Sequence, residues 1–285
     1  MIKKPHALSR RIYWLTVVFL FLPLAVLMLY SFNASRSFKF SGFSIKWYYS
    51  LFSRWIAPEK IAAVFPELGA RELAQIVERS KNIWTAVRNS FAIAFATGLV
   101  STVIGALGAI GLSWYRFSYK KFLQGVSFVP LLLPEIITGV SLLIFFSSIL
   151  RLKLSLITVL IGHISFCLPF VLLIIIARLE EFDYSIIEAA RDLGARERDI
   201  LFRIILPISA PGILAGFVGA LTLSLEDFVV TVFVQGANSP TLPVFIHSLI
   251  KRGVPPEINA LSVFLILFTV VLILSIRNFI KYIGK

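Results

Sequence analysis

Six charge-poor apolar runs organise the chain, at roughly residues 12 to 32, 84 to 113, 123 to 149, 155 to 177, 207 to 234 and 258 to 276. A helix needs about 20 apolar residues to cross a hydrocarbon core of about 30 Å, and every run is of that order. Several are longer, which permits tilt or a broken helix. Lipid leaves an open backbone without hydrogen-bond partners, and no run shows the alternation of a barrel strand. The pattern therefore predicts an all-α integral membrane protein with six transmembrane helices. No internal repeat or low-complexity tract stands out, so residues 1–285 read as a single membrane domain.

Two polar stretches interrupt this pattern. The first, about residues 33–83, contains ARELAQIVERSKN, where Leu73, Ile76 and Val77 fall at helical spacing with charges between them, predicting a short surface helix. The second, about residues 179–206, is polar yet patterned. Ile186, Ile187, Ala190 and Leu193 recur at helical spacing, and Gly194 can take the left-handed conformation that ends a helix. A second helix over ARERDILFRII is predicted to stop before Pro207. Two short helices thus meet at a glycine turn, with Glu188, Arg191, Asp192, Arg196, Glu197 and Arg198 outside.

Composition sharpens the reading. Hydrophobic residues make up 58% of the chain and charged residues 15%, with mean hydropathy +0.88, which excludes an ordinary soluble domain. A net charge of +13 would suggest nucleic acid in a soluble protein. Here Lys and Arg cluster between apolar runs, which is a mark of topology, so lipid replaces nucleic acid as the partner. Fifteen of them flank one face: Lys3, Lys4, Arg10 and Arg11; Arg116, Lys120 and Lys121; five from Arg178 to Arg203; three from Arg277 onward. Only Arg151, Lys153, Lys251 and Arg252 fall in the short loops opposite. The asymmetry predicts both termini in the cytoplasm and the 33–83 segment outside. The first run is too long for a secretory h-region and lacks an A-x-A site, so it reads as a retained signal anchor. The lone Cys167 has no disulfide partner within the chain and reads as packing.

Three acids fall inside the runs: Glu135 after Pro134 in the third, and Glu226 with Asp227 in the fifth. An acid at the bilayer centre costs ~2.5 to 3.5 kcal/mol even on the mildest scale, so it normally faces a partner, a cavity or a pathway. Adjacent helical residues point about 100° apart, so Glu226 and Asp227 cannot both face one axis. One is expected to line a path while the other is held by a neighbouring helix. The structural alternative is that all three are protonated, paired, or nearer an interface. His163 reads as a hydrogen-bonded interior histidine, and His247 as lying outside the membrane. Neither has a companion at metal-ligand spacing. Gly98, Gly105, Gly108 and Gly111 suit close helix contact along the second run.

The second polar stretch also carries a family resemblance. Glu188, Ala189, Ala190, three residues, Gly194, nine residues, Ile204, one residue, Leu206 and Pro207 resemble the EAA signature of permease subunits of bacterial ABC importers. The segments FNASRSFKFSGFSIKWYYSLF, RNSFAIAFATGLVSTVIGALGA, LLPEIITGVSLL, TLSLEDFVVTVFVQG and LPVFIHSLIKRGVPPEINALS resemble the second permease subunit of the polyamine-importing subgroup. Residues 55 to 82 look inserted against that pattern. The resemblance implies a type I importer permease (MetI-like) fold in the bacterial inner membrane, with the EAA loop coupling to a cytoplasmic ATPase. It implies as partners a second permease subunit, two ATPase subunits and an extracytoplasmic polyamine-binding protein. Spaced carboxylates at Glu135, Glu226 and Asp227, with aromatic surface from Phe145, Phe228 and Phe233, agree with a polycationic cargo. No GxxxxGK followed by Ser or Thr occurs, so no cofactor is expected on this chain, and ATP with magnesium is left to the ATPase partner. The alternatives are a same-family importer of a phosphonate or ferric iron, a proton-coupled secondary transporter, and a membrane enzyme. An anion would be repelled by the acids, a secondary transporter has no use for the EAA loop, and no catalytic motif supports the enzyme.

Overall fold

The computed structural model describes residues 7–35, 39–115, 117–251 and 255–283, with side chains between residues 8 and 271 of those ranges. Lys3, Lys4, Arg116, Arg252 and Lys285, which enter the orientation count, lie outside the described residues, as do the side chains of Arg277 and Lys281. Among the described residues there is no β-strand, only an isolated bridge between Asn33 and Phe43.

Among the described residues four helices are long and apolar enough to cross a membrane by length and composition, or five if one bent pair counts as a single span. The first run is α1 (Ala7–Ser31). The segment after it folds into α2 (Lys46–Leu51), a 3-10 turn at Ser53–Trp55 and α3 (Pro58–Val64). The short surface helix expected over ARELAQIVERSKN is not separate. It is the start of α4 (Ala70–Trp114), 45 residues without interruption. No Gly or Pro occurs between Ala70 and Gly98, so nothing stops the helix at the membrane boundary. Gly69 and Glu72 set its start, the Gly69 N–H reaching Glu72 Oε2 at 3.0 Å as in half a capping box. At 1.5 Å per residue α4 is ~68 Å long, about twice a bilayer core.

The third run is broken. α5 (Lys120–Leu132) and α6 (Glu135–Ile144, continued by a π turn at Phe145–Ile149) bend by 102°. Leu133 is extended, as a residue before proline prefers, and Pro134 then caps the new helix. The fourth run is α7 (Leu156–Glu180), started by a capping box between Ser155 and Thr158. The polar loop forms α8 (Ser185–Asp192) and α9 (Glu197–Ile200).

Two expectations about the fifth run need correction. The helix after the glycine turn does not end before Pro207; Glu197–Glu226 is one helix. A π turn at Leu201–Ile205 bridges α9 to α10 (Leu206–Glu226), with the Leu206 N–H on Leu201 O. That wider turn accommodates a proline that would otherwise clash with the preceding turn. The run is also not continuous to Val234. α10 ends at Glu226, Asp227 is extended at ψ 123°, and α11 (Val229–Val234) restarts. α12 (Leu242–Ile250) and α13 (Pro256–Ile283) complete the chain.

The chain groups into two compact units: Met1–Trp84 with Ile246–Lys285, and Thr85–Phe245. In the first unit Trp47, Ile61, Phe65, Ile76 and Ala260 form the core, and the buried Glu257 carboxylate takes Ser50 Oγ at 3.0 Å and Arg79 Nη1 at 3.1 Å. The second unit packs α7 against α10. Small residues allow this: a Cβ at Gly216 would stand 3.0 Å from Val171 Cγ1, and one at Gly212 would meet the Arg178 stem. Of the glycines singled out on the second run, Gly98 faces Phe217, Gly105 faces Val171 and Gly108 faces Leu172, whereas a Cβ at Gly111 would meet nothing within 4 Å. Gly105→Val is therefore expected to overpack the contact by ~1–3 kcal/mol and lower the thermal inactivation midpoint of the purified protein. Gly111→Ala should leave it unchanged.

Candidate functional site

The breaks in α5/α6 and α10/α11 both lie in the second unit, and each places an acid at the start of the short helix that follows. Glu135 is the first residue of α6, where a carboxylate is favoured by the helix dipole. Asp227 lies two residues before α11 and caps it: Oδ1 accepts from the Val230 N–H at 3.3 Å, and Oδ2 from the Thr231 N–H at 2.8 Å and the Thr231 hydroxyl at 2.6 Å. These bonds give the physical reason for a break in a stretch, LEDFVVTV, that holds neither Gly nor Pro. The side chain satisfies backbone donors that a continuous helix would pair with carbonyls.

Glu135 and Asp227 share a cavity of ≈ 240 Å³, walled also by Thr138, Phe166, Phe170 and Leu223. Glu226 is exposed and does not line it. Glu135 has no hydrogen-bond or ion-pair partner among the described residues. The Asp227 side chain is 6% exposed and is held by the neighbouring helix as well, with His163 Nε2 at 3.2 Å from Oδ2. His163 is 1% exposed, its Nδ1 2.6 Å from Ser224 Oγ and its Nε2 2.8 Å from Thr231 Oγ1. A carboxylate facing an aromatic-walled cavity in a protein of apolar helices is suited to an organic cation: Coulomb attraction is strong where water is scarce, and ring faces accommodate both methylenes and charge.

The aromatic residues named from the sequence do not line this cavity. Phe233 packs against Gly139, and Phe145 lies against Phe146. Phe166 and Phe170, one turn apart on α7, take their place. Their i, i+4 spacing was the available signal, but it sits in a run without acids.

In the loop at 179–206 the glycine turn is as expected, and its bonds define it. Gly194 has φ +80°, its N–H bonds to Arg191 O at 2.9 Å, and the Ala195 N–H bonds to Ala190 O at 3.0 Å. This is a Schellman motif, which satisfies the last carbonyls of α8. Glu188 and Ala189 are exposed and Ala190 is half-buried. Ile204 and Leu206 are half-buried and Pro207 is exposed. Arg191 ties the two helices through Glu197 Oε1 at 3.0 Å and Tyr184 at 3.4 Å. Asp183 accepts the Ser185 N–H at 2.9 Å, and the backbone and hydroxyl bonds from Ser185 hold its carboxyl below the usual range. Ile187 is buried, at 4% exposure, but Leu193, expected on the same apolar face, is 88% exposed at the tip of the turn. The Schellman turn rotates Leu193 away from that face and presents a large apolar side chain beside Gly194.

Broken apolar helices with acids at their breaks suit a membrane transport protein. The chain belongs to the family of binding-protein-dependent transport system inner membrane components, which matches residues 101–285. It is 36% identical over 258 residues to the spermidine/putrescine transport system permease protein PotC of Escherichia coli, covering 90% of this chain and 88% of that one. It is 34% identical over 253 residues to the putrescine transport system permease protein PotI of the same organism, covering 86% and 80%. A solved structure of the MetNI methionine ABC transporter in inward-facing conformations aligns with TM-score 0.54 at 19% identity, covering 70% of this chain and 93% of that chain. The fold is therefore MetI-like.

Proposed function

We propose that this chain forms half of the path by which an ATP-driven importer moves polyamines of the spermidine and putrescine class across the bacterial inner membrane. The observation that carries the substrate reading is the shared cavity of Glu135 and Asp227 at two helix breaks, walled by Phe166 and Phe170. Its charge suits an alkyl polyammonium and disfavours a phosphonate. The names of the two permeases reported above, PotC and PotI, support the same solute class. Glu226, exposed in the isolated chain, is assigned to the path at a point beyond this cavity.

The remaining half comes from a second permease subunit. Two copies of an ATPase subunit carry ATP and magnesium, and an extracytoplasmic binding protein delivers the cargo. Glu188, Ala189, Ala190 and Gly194 present the coupling surface to the ATPase, while Ile204, Leu206 and Pro207 root it in the fifth span. Nucleotide closure of the ATPase pair moves this loop and biases the permease between two openings. Purification through a tag on this chain should bring down one further permease and an ATPase; recovery of the chain alone from mildly solubilised membranes argues for a self-sufficient transporter.

The orientation has both termini and the coupling loop in the cytoplasm and residues 33–83 outside. With the buried Cys167 first replaced, cysteine at Ser118 or Ala195 should react only with reagents that reach the cytoplasm, and cysteine at Ala70 or Asn238 only with impermeant reagents outside. Labelling of position 70 from within would reverse the assignment.

A further inference from the structure

We propose that His163 is a positioning residue for cargo: it pins one oxygen of Asp227 and thereby leaves the other to receive an ammonium N–H in the cavity. The inference rests on the reading of Asp227 as part of a cation path.

The proton count around Asp227 carries it. The Thr231 hydroxyl has a single hydrogen and lies 2.6 Å from Asp227 Oδ2, which as a carboxylate only accepts, so Thr231 donates there. With its hydrogen committed there, the Thr231 hydroxyl accepts from His163 Nε2 at 2.8 Å, and the same nitrogen stands 3.2 Å from Oδ2. Oδ2 consequently accepts two hydrogen bonds, from the Thr231 N–H and O–H, and has His163 Nε2 close beside it at 3.2 Å. Among the described residues Oδ1 has only the long contact to the Val230 N–H at 3.3 Å. One oxygen is saturated by the protein, and the other keeps capacity for a donor from the cavity that Asp227 lines.

His163 is also placed to hold this asymmetry across the break. Its Nδ1 meets Ser224 in the last turn of α10 and its Nε2 meets Thr231 in α11, so one ring, itself 1% exposed on α7, grips both sides of Asp227. A residue that merely joined the two helix ends would need no contact with the carboxylate. Both amide replacements can keep polarity in the buried site, but they differ in reach. His163→Gln can place an amide N–H near the former Nε2. His163→Asn keeps an amide near Nδ1 and Ser224 and has nothing in reach of Asp227.

The test is ATP-dependent spermidine uptake by the complete complex in proteoliposomes, expressed per assembled complex, for His163→Gln, His163→Asn, Asp227→Asn and the double variant His163→Asn with Asp227→Asn. His163→Gln is expected to stay within about twofold of the unmodified rate and His163→Asn to fall about tenfold, the scale of one lost charge-assisted hydrogen bond. The double variant should be no slower than Asp227→Asn alone, because His163 acts through that carboxylate. Equal rates for the Gln and Asn variants, or independent and additive losses in the double variant, would overturn the positioning role. Unmodified uptake in Asp227→Asn would instead overturn the cation-path reading, so the two failures are distinguishable.

Discussion

Gly194→Asp is expected to cut ATP-driven uptake by about tenfold or more, while the chain inserts into the membrane at its unmodified level. Gly194 sits at φ +80°, and an L-residue there costs ~1 kcal/mol in backbone strain. That alone does not unfold a membrane protein. A Cβ at this position would meet nothing within 4 Å, so no internal clash adds to it. The larger effect comes from outside the chain. The turn carries Leu193 at 88% exposure, and in the proposed docking on the ATPase a carboxylate beside this apolar tip would enter the contact unpaired. Gly194→Ala supplies the control, since it keeps the strain and omits the charge. Uptake and co-purification of the ATPase should fall far more for aspartate than for alanine; normal uptake by Gly194→Asp would remove the loop from the coupling role.

Neutralising the intramembrane acids is expected to have an effect of similar size. Asp227→Asn should lower polyamine uptake by about tenfold or more, corresponding to ~1.4 kcal/mol in the limiting barrier, with assembly preserved. Assembly survives because asparagine is as good a cap as aspartate: its carbonyl can still accept from Thr231 and hold the start of α11. What changes is the face toward the cavity, where an acceptor is replaced by an amide that repels an ammonium donor. Glu135→Gln removes the second charge of the same cavity and should act in the same direction without disturbing any hydrogen bond among the described residues. Glu226→Gln tests the proposed place of Glu226 on the path, outside this cavity. If all three variants carry polyamine at the unmodified rate, the acids serve the fold, and the substrate assignment keeps no support beyond similarity.

The sequence made the apolar runs legible because hydrocarbon thickness imposes a length on them that nothing in solution does. The glycine turn was legible for a related reason: only one residue type takes φ +80° without strain, and it stood between two periodic segments. The break at Asp227 was not. No Gly or Pro marks it, and the helix ends because a carboxylate caps the next one, a bond that depends on where Thr231 and His163 come to lie. Proline misled in the opposite direction. Pro134 coincides with a real break, whereas Pro207 and Pro211 sit inside a continuous helix because the π turn at Leu201–Ile205 absorbs the first of them. The 45 residues of α4 hid in plain view, since a polar helical segment and an apolar one with no breaker between them are one helix whatever the solvent around each. That Glu135 shares a cavity with Asp227, in preference to Glu226, is a tertiary fact: residues more than ninety positions apart come to line one cavity only once α6, α7 and α11 have packed.

The most direct measurement is accumulation of labelled spermidine or putrescine by proteoliposomes holding the complex purified through this chain, with its binding protein on the outside and ATP within. The account predicts accumulation that requires ATP and the binding protein, is competed by unlabelled polyamine and is unaffected by phosphonate or ferric iron. ATP-driven accumulation of another solute by the same vesicles, with no polyamine taken up, would contradict it.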